Sequence, residues 1–366
     1  MAQALWVKKD ELTTTKLVDL DLPTLAQGAI RLRIESFAVT ANNVTYAVIG
    51  DMFHYWNFFP AADGWGIVHM WGHAVVEASN TPDIAVGERV YGYLPMATHL
   101  DVQPGNISAG GFVDMTPHRQ PMSIFYNQYS RLAADPEHDP ANEDARMLYG
   151  PLFKTGFLIE AFYQRHAWFE AEVLVITSAS SKTAMALAHC TRLASPAVKR
   201  VGLTSPGNLA FVKATHLYDE VLAYEDIGRI ALLPSVSVDF AGNARVLHAI
   251  HETLGDNLLY SSTVGATHVG AREGEGAPLP GPQPVLFFAP TEALETVKAM
   301  GPARFAQSVA GAWGSFIAAA KGFIRVDHRD GLAAANEVLM VRLPPRATLF
   351  PDVTILRSCT ISTDLL

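Results

Sequence analysis

From the N-terminus to residue 125, apolar positions come in short runs with partial period-two alternation, as in "AIRLRIESFAVT", "HAVVEAS" and "GERVYGYLP". Alternation puts successive side chains on opposite faces of a pleated strand, and the glycine and proline bracketing the last run act as a turn and a stop. Several short strands with this punctuation predict a compact β domain.

From Val173 onward the rhythm changes. Strand-like "EVLVITS" precedes helix-like "KTAMALAHCTRLA", and "VKRVGLTS" precedes "GNLAFVKATHL". Then come "YDEVLAY", "SVSVDFAG", the helical "ARVLHAIHETLG", "NLLYSSTV" and "PVLFFAP". Strands alternating with helices imply right-handed crossovers and a parallel sheet, so the predicted class is α/β with a doubly wound nucleotide-binding half.

Between the halves, Ala133 to Arg146 is rich in Asp, Glu, Pro and Asn and predicts a solvated connection ahead of the helix-like "LFKTGFLIEAFYQ". "HVGAREGEGAPLPGPQP" predicts an exposed loop. "ARFAQSVAGAWGSFIAAAKGF" predicts one long helix interrupted at Gly311 and Gly314, and "RVDHRDGLAAANEVLMVRL" a helix returning to a strand. The chain has no internal repeat.

Length and composition narrow the function. At 366 residues there is room for two domains, and 49% hydrophobic against 17% charged residues indicates a folded chain with strands buried on both faces. A formal net charge of -9 without a basic stripe argues against nucleic acid as a partner. Cys190 and Cys359 are the only cysteines, which excludes a disulfide framework and a four-cysteine zinc lobe. Without an apolar stretch of about 20 residues or a signal-like start, the expectation is a cytoplasmic protein with no membrane partner.

The candidate chemistry centres on "VLVITSASSKTAMALAHC", residues 173 to 190. A dinucleotide fold needs a tight turn after its first strand, with backbone N–H groups at the next helix start facing the pyrophosphate. Glycine usually permits that approach, and here it is missing. Ser178, Ala179 and Ser180 are small, the hydroxyls of Ser178, Ser180, Ser181 and Thr183 can donate to phosphate or cap the helix, and Lys182 adds a positive charge. An ordinary capped helix with a solvated lysine fits the same residues. The next strand ends at "GLTSPGN", where Thr204, Ser205 and Asn208 are neutral and would not repel a 2′-phosphate, which favours NADP(H) over NAD(H). Lys213 and Tyr224 lie nearby in sequence, and each has an equally good reading as a solvated or packed side chain.

The order of elements resembles the medium-chain dehydrogenase/reductase superfamily, in particular its zinc-free quinone oxidoreductase and enoyl reductase branches. "SFAVTANNVTYAVIGD" is similar to the segment in which an asparagine precedes the first substrate-facing residues. "WGHAVVEASNTPDIAVGERVYGYLP" resembles the superfamily's glycine-containing strand and its "GDRV", and "VDFAGNARVLHAI" its fourth nucleotide-domain strand. "PLFKTGFLIEAFY" is similar to the helix near the nicotinamide. "SASSKTA", "GLTSPGN" and "YDEVLAY" look closer still to a little-characterised branch that carries only a domain-of-unknown-function label.

The resemblance implies a GroES-like β domain over 1–132 and 325–366, a Rossmann NADP(H)-binding domain over 133–324, and an active site in the cleft between them. It implies a phosphate loop at Ser178, Ser180, Lys182 and Thr183, a 2′-phosphate region at Ser205, Asn208 and Tyr224, and a nicotinamide neighbourhood at Asn43, Thr155, Ser262 and Thr263. It also suggests a homodimer formed through nucleotide-domain strands, with "PVLFFAP" apolar enough for such an edge.

Zinc-dependent members have a cysteine where this chain has "TANNV" and a His-Glu pair where it has Gly72-His73-Ala74. A lone histidine cannot build a catalytic zinc site, so no metal is expected and His73 is read as hydrogen-bonded structure. What remains is metal-free reduction of a polarised double bond in a small apolar enone, enoyl or quinone substrate. Asn43, Tyr46 and Thr155 are the candidate donors to its oxygen, and Tyr46 is also a proton source. Aromatic-rich residues 51 to 65 fit a pocket lining slightly better than a core segment. A protein that binds NADP(H) without turnover, as a redox sensor or through a partner, is the alternative.

Overall fold

The computed structural model describes residues 1–264, 279–322, 326–342 and 353–357. The chain divides into two compact units, Met1–Leu148 with Ile324–Leu366, and Tyr149–Phe323.

The first unit begins with β1 (Ala2–Lys8), β2 (Glu11–Leu20), β3 (Ile30–Val39), the helix α1 (Ala41–Val48), β4 (Trp65–Ile67) and β5 (His69–Ser79). It continues with β6 (Arg89–Pro95), β7 (His99–Val102), β8 (Pro104–Gly105), β9 (Gly111–Asp114) and β10 (Gln128–Arg131). Alternation along β3 turns Ile30, Leu32 and Ile34 inward, all at 0% exposure, onto Leu5, Met70 and Tyr93. A Cβ at Gly72 would lie 2.3 Å from the Ser36 carbonyl oxygen, so glycine is what lets β5 approach β3 there. The aromatic stretch 51 to 65 divides: Trp56, Phe58 and Phe59 are buried in the core, while His54 is exposed. Gly50 and Gly66 flank the Trp56 indole, where added Cβ atoms would meet it at 2.2 and 2.3 Å.

Helix α2 (Glu143–Arg165) carries the chain into the second unit. The connection before it is less solvated than its composition predicts: Asp135 and Arg146 are buried and ion-paired, because a charge pair can be taken out of water where neither charge can alone.

The second unit contains β11 (Val173–Ile176), α3 (Lys182–Ala194), β12 (Lys199–Thr204), α4 (Leu209–Ala214), β13 (Glu220–Ala223) and β14 (Ser235–Asp239). It is completed by α5 (Ala244–Leu254), β15 (Leu258–Val264), β16 (Val285–Phe287), α6 (Ala289–Met300) and α7 (Pro302–Ala320). The six strands pair in parallel in the order β13-β12-β11-β14-β15-β16, the doubly wound arrangement in which strand order reverses between β11 and β14. Every residue of β11 and β14 is buried, as strands covered on both faces require.

Helix α7 runs unbroken through Gly311 and Gly314, contrary to the interruption expected there. Glycine removes no backbone hydrogen bond and costs a helix only about 1 kcal/mol each, which the buried Val309, Trp313, Phe316 and Ile317 outweigh. The chain then returns to the first unit as β17 (Val326–Asp330), α8 (Gly331–Arg342) and β18 (Val353–Arg357), with β18 pairing β3. The order is strand then helix, the reverse of the expectation: the alternating, charged "VDHRD" is an edge strand, which tolerates exposed charge. Most of the expected Gly- and Pro-rich loop, and Cys359, lie outside the described residues. Among the described residues no helix is long and apolar enough to cross a membrane.

Candidate functional site

Strand order reverses between β11 and β14, and the region beyond the carboxyl ends of such a pair is the general ligand position of doubly wound sheets. Two polar residues tie these ends together. Thr177 Oγ1 donates to Asp239 Oδ1 at 2.7 Å and accepts the backbone N–H groups of Phe240 and Ala241 at 2.8 and 3.0 Å. The chain leaves this knot through Ser178, which takes the left-handed conformation at φ +47°. Serine thus occupies the conformation for which glycine is the usual residue.

Each residue of the following turn is gripped. The Ser178 N–H donates to the Tyr224 hydroxyl at 3.0 Å. Ala179 donates its N–H to the Leu203 carbonyl at 3.0 Å and accepts the Tyr218 hydroxyl at 2.7 Å. Asn208 Nδ2 donates to Ser180 Oγ at 3.2 Å, and Ser181 caps α3 by accepting the Ala184 N–H at 3.3 Å. Glycine appears one strand away: a Cβ at Gly202 would lie 2.8 Å from the Tyr218 ring and 3.0 Å from Ala179 Cβ. Lys182 and Thr183 open α3, whose first turn holds no acidic residue, and Lys182 Nζ stands 5.9 Å from the Tyr149 ring centroid.

The structure therefore brings Ser178, Ser180, Lys182, Thr183, Asn208 and Tyr224 to one end of the parallel sheet, with Ser205 at the end of β12. Ser262 and Thr263 lie on β15, at 1% and 0% exposure. Thr263 faces Asp239 in register, whereas Ser262 Oγ is 2.9 Å from the Tyr163 hydroxyl in the core. Thr155, inside α2, donates its hydroxyl to the Pro151 carbonyl at 3.2 Å. The sequence does not mark Asp239 or Tyr218, since Asp239 ends a strand that already carries Ser235 and Ser237; Thr177 is signalled as the polar residue closing the apolar run Val173–Ile176.

Asn43 and Tyr46 belong to the first unit, on α1. Thr40 and Asn43 form a capping box: the Asn43 amide oxygen accepts the Thr40 N–H at 2.5 Å, and its Nδ2 donates to the His69 carbonyl at 2.6 Å. The Tyr46 hydroxyl accepts from Asn42 Nδ2 at 2.8 Å and Trp71 Nε1 at 3.3 Å. Its ring lies 4.9 Å from Tyr55 and 5.4 Å from Tyr93. Burial, and then the neighbouring Tyr55, push its ionisation well above the usual phenol range, so Tyr46 is a neutral donor and not a base.

His69 is enclosed by this aromatic group. Its Nδ1 is 2.9 Å from the Tyr93 hydroxyl, its Nε2 has no partner, and burial followed by the Arg119 charge lowers its pKa to about 3. His73 corrects an expectation: both ring nitrogens are buried without a hydrogen bond, and burial lowers its pKa to about 3 as well. Packing against Tyr91, at 5.2 Å, holds it in place instead of the hydrogen bonds foreseen. Among the described residues no three His, Cys, Asp or Glu side chains gather at metal-binding distance. A groove of about 260 Å³ elsewhere on this unit is lined by Phe58, Phe59, Leu100 and His118, with the Asp114–Arg119 pair beneath.

Solved structures share the fold. CurA from Vibrio vulnificus, in complex with NADPH, matches with a TM-score of 0.58 at 13% identity over 98% of this chain and 99% of that one. The yhdH oxidoreductase from Salmonella enterica, in complex with NADP, matches at 0.54 and 13%, over 97% and 99%. A quinone oxidoreductase from Pseudomonas syringae pv. Tomato DC3000 matches at 0.50 and 16%, over 98% and 100%. At such identities the likeness establishes the fold, a GroES-like β unit and a Rossmann unit, as the resemblance to the medium-chain superfamily implied. No curated protein matches the sequence. A family model described as "Protein of unknown function (DUF2855)" matches residues 37–340.

Proposed function

The chain belongs to the DUF2855 family, and from that membership and its fold we propose that it is an NADP(H)-dependent, zinc-independent reductase of an activated double bond or a quinone. The observation that carries this reading is the turn from Ser178 to Ser181, held rigid at the strand-order reversal and leading into a capped helix whose first turn has Lys182 and no acid. That combination suits a pyrophosphate. Two of the structural neighbours were solved with NADPH or NADP.

Ser178, Ser180, Lys182 and Thr183 grip the pyrophosphate in this reading, and Ser205, Asn208 and Tyr224 receive the 2′-phosphate. Ser262, Thr263 and Thr155 serve the nicotinamide end. Bound NADPH supplies a hydride to the acceptor carbon. Tyr46, kept neutral, donates a hydrogen bond to the substrate oxygen as negative charge develops there, and can hand over the proton that completes the reduction; Asn43 supports it with its remaining amide hydrogen. The substrate is small and apolar, matching the half-buried Tyr55 and Tyr126 beside Tyr46. The edge strand β16, with Val285 and Leu286 46% and 51% exposed, and Phe288 after it, is the surface on which two copies would pair.

A non-catalytic NADP(H)-binding protein is the second reading, favoured by Asn43, whose amide is largely consumed by its cap and by His69. One experiment separates the two: NADPH is mixed with the purified protein and a panel of quinones and enones, and loss of NADPH absorbance is followed. Turnover supports the reductase, tight binding without turnover the second reading, and failure to bind NADPH or NADP⁺ removes both.

A further inference from the structure

We propose that Tyr218 is a positioning residue for the diphosphate: it holds the peptide between Ala179 and Ser180 so that the Ser180 N–H faces the anion. The inference rests on the NADP(H) reading and adds to it a residue outside the turn. Residues 178 to 181 form a β-turn, closed by the Ser181 N–H on the Ser178 carbonyl at 2.7 Å. The peptide between the two central residues takes no part in that bond. Its two possible directions correspond to different turn types, and the reversed one needs positive φ at Ser180. Neither Ala179 nor Ser180 has positive φ.

Tyr218 restrains that peptide from outside. Its hydroxyl donates to the Ala179 carbonyl at 2.7 Å, while the Ala179 N–H is taken by the Leu203 carbonyl at 3.0 Å. Burial pushes the phenol well above its usual ionisation range, so it stays a donor. In a trans peptide the C=O and the following N–H point in opposite directions. With the Ala179 carbonyl drawn to Tyr218, the Ser180 N–H faces away from it, and among the described residues that N–H meets no acceptor. The Ser178 N–H, by contrast, is spent on the Tyr224 hydroxyl. One directed backbone donor is thus kept in a turn that has no glycine.

Tyr218 is itself fixed from two sides. Its neighbour Asp219 is clamped to Arg200 of β12. The Asp219 N–H donates to the Arg200 carbonyl at 2.9 Å, and the Arg200 N–H and Nη2 donate to the Asp219 carboxylate at 2.8 and 2.6 Å. Farther along β12, Gly202 leaves the room that the tyrosine ring takes, since a Cβ there would lie 2.8 Å from the ring. A line of contacts therefore runs from Arg200 through Tyr218 to the peptide that presents the Ser180 N–H.

The test compares a ligand that has a diphosphate, NADPH, with one that has none, adenosine 2′-monophosphate, on the full-length protein. The Ser180 amide is followed by NMR with isotope-labelled serine. NADPH should move the Ser180 amide proton downfield in the native sequence. Tyr218→Phe keeps the ring and loses the hydroxyl; it should shrink that movement and weaken NADPH about tenfold, with binding of the monophosphate unchanged. Gly202→Ala, which displaces the ring, should have the same two effects. NADPH binding without movement of the Ser180 amide, or with native affinity in Tyr218→Phe, overturns the inference and leaves the NADP(H) reading standing. Equal weakening of both ligands in Tyr218→Phe also overturns it, because the tyrosine then supports the fold alone. A native protein that binds neither ligand overturns the reading and the inference together.

Discussion

The Ser178 backbone N–H meets the Tyr224 hydroxyl at 3.0 Å, and it does so because Ser178 is left-handed, at φ +47°. The tyrosine thereby fixes a turn that a glycine-rich loop would leave loose. Ser178→Gly should retain the turn and raise stability by less than about 1 kcal/mol, since relief of steric cost exceeds the added chain entropy only slightly. Ser178→Val, β-branched at positive φ, should lower stability instead. Denaturant midpoints at constant m-value measure both; a marked loss in Ser178→Gly would show that the serine hydroxyl, and not the backbone conformation, holds this corner.

Cofactor grip can be probed one charge at a time. Lys182→Ala should weaken NADPH binding by about 1.5–3 kcal/mol if the ammonium touches a phosphate. Calorimetric titration reads this directly, and unchanged affinity would place the Lys182 ammonium away from the phosphates.

Selection between the two nicotinamide cofactors should turn on Ser205, which follows β12 where no acidic residue stands. Ser205→Asp should shift preference from NADPH towards NADH by repelling a 2′-phosphate and accepting a ribose hydroxyl. The ratio of the two dissociation constants is the readout; a ratio that does not move displaces the 2′-phosphate from this region.

Much of this was legible in the sequence where burial and periodicity agree. Helix α3 spans the residues its pattern predicts, because Ser181 caps it and its apolar face is continuous. Residues 51 to 65 were harder, since a pocket lining and a core draw on the same aromatics; what assigns Trp56 to the core is its wedging between Gly50 and Gly66, a tertiary contact that periodicity does not carry. Tyr218 was invisible for the same reason: its hydroxyl serves Ala179, 39 positions away. The phosphate-loop candidates could be named from one local stretch, whereas Asp239 needed the strand order to bring it beside Thr177.

Acid should destabilise the first unit through its two buried histidines. His69 and His73 have folded-state pKa values lowered to about 3 from 6.5, so below pH 6.5 the unfolded chain binds protons that the folded chain refuses. Their stabilising effect is complete above pH 6.5 and is lost as pH falls towards 3, at about 1.4 kcal/mol per pH unit for each ring. His73→Leu removes one such ring without breaking a hydrogen bond, because neither nitrogen makes one. It should flatten the acid limb of stability against pH while leaving stability at pH 7.5 equal or higher. An unchanged slope would mean that His73 is already protonated, or hydrated, in the folded protein.

The Asp114–Arg119 pair offers a sharper test of the first unit's interior. Both side chains are 1% exposed, with Arg119 Nη1 2.7 Å from Asp114 Oδ2, and the guanidinium also reaches Asn127 Oδ1, the Tyr129 hydroxyl and the Tyr126 carbonyl. Asp114 in turn accepts the backbone N–H groups of Gln103 and Thr116 and the Thr116 hydroxyl, so one carboxylate both balances the charge and organises the end of β9. Asp114→Ala strands a buried cation and should cost about 3–5 kcal/mol by chemical denaturation. Replacing both partners by apolar residues of similar volume, Asp114→Leu with Arg119→Met, removes the stranded charge and should recover part of that loss. The turn donors at Gln103 and Thr116 remain unpaired in the double variant, which keeps recovery below completion. If the double variant is no more stable than Asp114→Ala, the carboxylate acts mainly as the acceptor for that turn, and its charge contributes little to holding Arg119.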